Sequence, residues 1–119
     1  MKITVCEQFH FEAAHRIESE RREELARIHG HSHKVFVTVG GVVESKQGWL
    51  IEQSKFRAIA SKPVQRLDHV FLNEILDDVT AEGIAKYLLQ TLQRADWPQN
   101  VQVLSVEVRK TTTRAKATA

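Results

Sequence analysis

The side chains with the most chemistry to offer are histidines. His29 and His31 stand one residue apart in Ile28-His29-Gly30-His31-Ser32-His33, and His15 ends the run Phe9-His10-Phe11-Glu12-Ala13-Ala14-His15. On an extended chain, residues two apart project from the same face about 6–7 Å from one another, so two imidazoles can reach one metal ion. A catalytic zinc site takes three protein ligands and leaves a fourth position open, and His15 is the candidate third ligand. Taken alone, His15 reads as a histidine closing a core strand. With His29 and His31 on the same sheet face, the three read as ligands of one zinc ion. His33 shares their parity but lies deeper along the strand, where a core position or a supporting place behind the ligands is expected.

A second pair is Asp68-His69, set among apolar residues in Leu67-Asp68-His69-Val70-Phe71-Leu72-Asn73. Two readings stand side by side. The pair is a loop anchor, with the aspartate capping backbone and the histidine packing. Or it is a proton-transfer pair, because an aspartate can orient a histidine and raise its basicity. Spacing does not choose between them.

The elements that must carry these residues follow from periodicity. Residues 2–15 alternate, with Ile3, Val5, Phe9, Phe11, Ala13 and His15 on one face, which marks a half-buried strand. The charged stretch 16–27, including Glu18, Glu20, Arg21, Arg22, Glu23 and Glu24, reads as a loop with room for a helical turn. Alternation returns over 29–44, with His29, His31, His33, Val35, Val37 and Val39 on one parity, and Gly40-Gly41 marks a bulge or bend. If the two strands pair antiparallel, the end of the first meets the start of the second, and His15 falls beside His29 and His31. Residues 45–48 form a turn. Phe56, Ile59 and Ala60 have helical spacing within a helix over 52–66, which Pro63 should kink or divide. Thr80 is the N-cap of a second helix running to about Arg94, with Ile84, Leu88 and Leu92 on one stripe. Val101, Val103, Leu104, Val106 and Val108 make a third strand with a parity switch at 103–104 that predicts a bulge. Residues 111–119 give a weak fourth strand. The order ββααββ predicts an α+β fold, a four-stranded antiparallel sheet with two helices on one face.

Bulk composition narrows the function classes. The chain of 119 residues is expected to form one domain, 1–119. A hydrophobic content of 42% with 27% charged residues fits a soluble globular protein. The net charge of +2 is spread along the chain, with no basic run dense enough for nucleic acid and few aromatics. No apolar run approaches the roughly 20 residues of a membrane span. No leader is read ahead of the first strand. Cys6, the one cysteine, cannot form an internal disulfide, so a reducing, cytoplasmic setting is expected.

With these residues placed, the chain resembles the family of 6-pyruvoyl-tetrahydropterin and 6-carboxy-tetrahydropterin synthases. The matching pieces are Phe9-His10-Phe11-Glu12-Ala13-Ala14-His15-Arg16, Ile28-His29-Gly30-His31-Ser32, Gly48-Trp49-Leu50-Ile51-Glu52, Leu67-Asp68-His69 with Leu72-Asn73, and Thr80 with Ile84-Ala85. The resemblance implies a tunnelling fold whose sheets join those of other subunits. It implies a homohexamer of two trimers with sites at subunit boundaries. It also implies zinc on His15, His29 and His31, with Asp68 and His69 as the acid/base pair. The implied substrate is 7,8-dihydroneopterin triphosphate or a related pterin. The Phe-Glu-Ala-Ala-His and Gly-Trp-Leu-Ile segments lean toward the carboxy branch, which also cleaves a carbon–carbon bond and feeds queuosine synthesis.

Two positions depart from the pattern. The family's catalytic cysteine, four residues before the first histidine of His-Gly-His, is here Leu25, which can neither take nor give a proton; some relatives use glutamate, and Glu24 lies one residue away. The family's Glu-Thr pair near the C-terminus, whose carboxylate holds the amino-pyrimidine edge of the pterin, is here Lys110-Thr111. A carboxylate accepts two hydrogen bonds from that edge and an ammonium accepts none. Glu107 is the nearest acid in sequence, but its odd parity points it away from Lys110's face. Glu52 stands where aspartate is usual and keeps the charge. Lys110 and Thr111 are therefore expected to meet the substrate differently, with Lys110 available to grip a carboxylate or phosphate. Two function classes follow: a zinc lyase with altered substrate or mechanism, or a non-catalytic zinc-binding homologue with a binding or scaffolding role.

Overall fold

The computed structural model describes residues 1–18, 23–43, 46 and 48–119. Residues 19–22 of the charged connector, 44 at the end of the expected second strand, and 45 and 47 of the expected turn lie outside the described residues. The elements run β1 (Lys2–His15), α1 (Glu23–Ala26), β2 (His29–Val42), α2 (Gln53–Gln65), β3 (Val70–Phe71), α3 (Ala81–Gln93), β4 (Gln102–Lys110) and β5 (Thr113–Thr118), with a 3-10 turn over Leu72–Glu74. No helix among the described residues is long and apolar enough to cross a membrane.

The α+β architecture is as expected, but the sheet has five strands in the order β3-β1-β2-β4-β5, not four. The added strand, β3, runs parallel to the end of β1, pairing Ala13 with Val70 and Ala14 with Phe71. Two residues are too few to show alternation, so this strand has no periodic signature. Hydrogen bonds just before it hold it in place: the Glu12 amide donates to Asp68 Oδ1 at 2.9 Å, and the His69 amide donates to the Glu12 carbonyl at 2.6 Å.

β1 and β2 pair antiparallel from Lys2–Val42 through His15–His29 without interruption. That register brings His15 opposite His29 and Ala13 opposite His31, so all three histidines share the buried face. The predicted bulge is present in β4. Thr38 pairs with Ser105 and Val39 with Val103, which leaves Leu104 as the extra residue. Gly40 and Gly41 continue β2 without a break. Gly41 is needed for clearance, since a Cβ there would overlap the Asn100 carbonyl oxygen.

Helix α3 begins where Thr80 predicts, with the Gly83 amide donating to Thr80 Oγ1 at 3.1 Å. Its apolar stripe, Ile84, Ala85, Leu88, Leu89 and Leu92, is buried. It packs against β4 and β5, while α2 packs against β1. Helix α2 differs from expectation: it runs unbroken through Pro63, which is buried beside Val64. Pro63 stands two residues from the helix end, so a single lost backbone bond there does not divide the helix. Phe11, Phe56, Leu67, Leu72, Ile84 and Leu88 form the packed centre of one hydrophobic cluster. Fully burying a side chain of this size contributes about 1.5–3 kcal/mol.

Candidate metal centre

At the end of the sheet where β1 stops and β2 starts, three imidazoles converge. Ring centroids lie 4.6 Å apart for His15 and His29, 5.1 Å for His15 and His31, and 4.8 Å for His29 and His31. Each offers a nitrogen within 4.8 Å of the others. The rings meet edge to face.

Two of the three rings are held by backbone carbonyls. His15 Nδ1 donates to the Val79 carbonyl at 2.9 Å, and His29 Nδ1 donates to the Arg27 carbonyl at 2.8 Å. A donor at Nδ1 leaves Nε2 as the bare acceptor, the tautomer a metal needs. His15 is fully buried and its Nε2 has no hydrogen-bond partner. An unpartnered buried nitrogen is costly, and a metal ion satisfies it. The residues present therefore fit a first-row metal such as zinc, with His15, His29 and His31 as its ligands.

The electrostatics favour the neutral form of His15 and His31. Burial above all pushes His15 down to about 4; the Lys110 ammonium and the neighbouring imidazoles add to this, against the Val79 hydrogen bond. His31 is lowered by burial, then by Lys110 and His29. Lys110 stands opposite His33 in the β2–β4 register and so faces the cluster from β4. Burial lowers its own pKa, and Glu82 partly offsets that. His33 takes the core position. It is fully buried, stacked on Phe11 with centroids 4.4 Å apart, and unpartnered at both ring nitrogens. It lies 6.3 Å from His15 and 6.0 Å from His31 between centroids.

Asp68 and His69 form a pair, with His69 Nδ1 and Asp68 Oδ2 2.9 Å apart. The other oxygen of Asp68 accepts the Glu12 amide, so the same carboxylate also holds backbone. That backbone bond, then His69, holds its carboxyl below the usual carboxylate range. His69 has φ of 58°, in the left-handed region that a non-glycine residue occupies at a cost. Its side chain is 78% exposed, as suits a group that meets a ligand or a neighbouring surface. His69 and His31 line one open cleft of about 510 Å³, together with Glu12, Gly30 and Ser32. Among the described residues no ring contact joins His69 to the three histidines.

Thr111 has φ of 48° in the turn between β4 and β5 and lines a second cavity that also reaches His31. Sequence reasoning did not single out Val79, whose contribution is a carbonyl and so carries no side-chain signal. Asn73 clamps the chain just beyond His15: its Oδ1 accepts the Arg16 amide and its Nδ2 donates to the Arg16 carbonyl, both at 2.9 Å.

Residues 4–119 match the family model described as 6-pyruvoyl tetrahydropterin synthase. A dihydroneopterin monophosphate aldolase from Pyrococcus furiosus is 34% identical over 94 residues, which cover 79% of this chain and 78% of the relative. The Caenorhabditis elegans 6-pyruvoyl tetrahydropterin synthase has the same fold, with a TM-score of 0.84 at 21% identity, over 100% of this chain and 96% of that one. A Plasmodium vivax 6-pyruvoyltetrahydropterin synthase with alanine replacing a catalytic glutamate aligns with a TM-score of 0.79 at 18% identity, over 98% of this chain and 97% of that one.

Proposed function

The chain belongs to the 6-pyruvoyl tetrahydropterin synthase family, and from that premise we propose that it is a zinc-dependent carbon–carbon lyase acting on the side chain of a phosphorylated dihydroneopterin. The observation that carries this reading is the buried, unpartnered Nε2 of His15 beside His29 and His31, with two of the rings fixed from behind by carbonyls. When bound, zinc would supply a Lewis acid that lowers the pKa of a side-chain hydroxyl.

The residues present suit a retro-aldol cleavage better than the family's longer reaction. Leu25 removes one proton-transfer group, and a retro-aldol needs only one. His69, held by Asp68, takes the proton from the hydroxyl on the second side-chain carbon. The bond between the first and second carbons breaks, its electron pair passes into the conjugated ring imine, and the second carbon leaves as an aldehyde. The proton then returns to the first carbon. No oxidant is required. The relative named an aldolase for dihydroneopterin monophosphate supports this class of substrate.

Lys110 would offer a donor to the carbonyl oxygen of a pterin ring, and Thr111, which lines the adjoining cavity, would add a hydroxyl. The cleft between His69 and His31 is open on one side, which suits a homo-oligomer in which a neighbouring subunit closes it; a hexamer of two trimers in the cytoplasm is the expected form. A second reading, a zinc-binding homologue without turnover, is favoured by Leu25 and Lys110 standing where the resemblance implies cysteine and glutamate.

The deciding experiment incubates zinc-loaded protein with 7,8-dihydroneopterin monophosphate, and separately with the triphosphate. It follows the aldehyde product, free triphosphate and the shortened pterin. Turnover of either substrate that vanishes in His69→Ala supports an enzyme. No turnover by protein that retains zinc and its assembly overturns the lyase reading in favour of the second.

A further inference from the structure

The face of the sheet opposite the helices carries an arrangement that folding alone does not favour. His10 on β1 stands directly across from Lys34 on β2, Lys34 from Arg109 on β4, and Arg109 from Arg114 on β5. One rung therefore sets three cationic side chains, Lys34, Arg109 and Arg114, in a row across three strands about 4.8 Å apart, with the His10 imidazole at its end. Like charges directly opposite one another in a sheet are destabilising. Compensation on this face is partial. Glu107 Oε2 accepts from Arg109 Nε at 2.7 Å, and Glu12 is occupied by the Ser32 hydroxyl at 2.8 Å from each oxygen. Among the described residues, Lys34 and Arg114 have no acidic partner.

The row borders a cavity of about 670 Å³ lined by Lys34, Arg109, Arg114, Thr111, Thr112 and His31. Arg109 is the fixed member. Its guanidinium lies over the Phe36 ring at 4.2 Å and is tied to Glu107 through Nε, which leaves its terminal nitrogens to point elsewhere. A guanidinium held in place with free terminal donors suits bidentate binding of a phosphate. The cavity shares Gly30, His31 and Ser32 with the cleft that holds His69. An extended ligand could thus place one end beside the histidines and the other at the basic row.

We propose that Lys34, Arg109 and Arg114 form an anion site that binds the phosphate of the substrate's side chain and selects phosphorylated over unphosphorylated ligands. This deepens the function proposed above and rests on it for the identity of the ligand. The anion removes the repulsion that the row stores and gives Lys34 and Arg114 the counter-charge that the described residues do not supply.

The test has two arms. The first measures kcat/KM for 7,8-dihydroneopterin monophosphate and for 7,8-dihydroneopterin, in the wild type and in Lys34→Gln, Arg114→Gln and the double variant. The wild type should prefer the phosphate ester, and the ratio of the two values should fall about tenfold for each cation removed. A ratio that stays constant overturns the proposal. The second arm needs no turnover: inorganic pyrophosphate is titrated calorimetrically into zinc-loaded wild type and double variant. Binding by the wild type that the double variant loses supports the anion site even if neither pterin reacts, which separates its fate from that of the lyase reading. No binding by the wild type overturns it. Thermal melting guards against misfolding. Relief of like-charge contacts should leave the double variant at least as stable as the wild type, and marked destabilisation would show the cations to be structural and overturn the proposal.

Discussion

The Nδ1 of His15 donates to the Val79 carbonyl across 2.9 Å, and this bond ties the end of β1 to the segment that enters α3. It also decides which nitrogen of the ring is left bare. The histidine cluster is therefore set by tertiary packing as well as by the pairing of two strands.

From this follows the first prediction. His29→Ala and His31→Ala should fold, because both side chains are only partly buried, yet each should reduce bound zinc from one equivalent per protomer to background by elemental analysis. His15→Phe fills the buried volume without a ligand and should give the same loss. Retention of a full equivalent by any of the three would contradict the site.

The second prediction concerns acid. In metal-free protein, burial holds His15 and His33 at about 4, whereas an unfolded histidine titrates near 6.5. Between those values the unfolded chain binds more protons, so the stability these groups contribute is complete above about pH 6.5 and falls as pH drops toward 4. The limiting slope is about 1.4 kcal/mol per pH unit for each histidine. Urea denaturation at pH 7.5, 6 and 5 should show this decline. His33→Phe, which keeps the stack on Phe11 and removes two unpartnered nitrogens, should be at least as stable at pH 7.5 and should make the slope shallower. An unchanged slope would show that His33 is not held neutral.

Asp68→Asn separates the two duties of that residue. An asparagine oxygen can still accept the Glu12 amide, so β3 should stay docked and zinc content should not change. The amide cannot carry the charge that supports a protonated His69. If the pair transfers the proton, kcat should fall by about 10²–10⁴-fold. Equal rates in variant and wild type would reduce the pair to an anchor.

Lys110 faces the cluster as a cation, and its charge opposes protons and metal ions alike on the neighbouring imidazoles. Lys110→Met should tighten zinc binding severalfold in competition with a chelator, and kcat/KM for the pterin substrate should fall through loss of the donor. Weaker zinc binding in this variant would mean that Lys110 supports the site through packing.

Much of this was legible in the chain. Alternation places His15, His29 and His31 on one face, and their register follows once the first two strands are paired along their full length. Thr80 announces α3, and the switch at 103–104 announces the bulge. What could not be read were elements whose determinants are not periodic. Val70-Phe71 is a strand only because Asp68 and His69 dock the chain against Glu12. Pro63 was expected to kink or divide α2; its place near the helix end and the core around it keep the helix undivided. The row from His10 to Arg114 is scattered over four strands and exists only in the register of the sheet. Local spacing carries no trace of it.

Leu104, the unpaired residue of β4, sets the phase of everything beyond it. Upstream, Val103 faces the helices; downstream, Val106, Val108 and Lys110 do. With Leu104 drawn into the regular alternation and Val103 kept in place, the downstream half of the strand would be turned inside out. Arg109 would point toward α3, and Lys110 would point away from the histidines. Leaving one leucine out of the pairing with β2 thus determines which charge looks at the three histidines and which looks at the opposite side of the sheet.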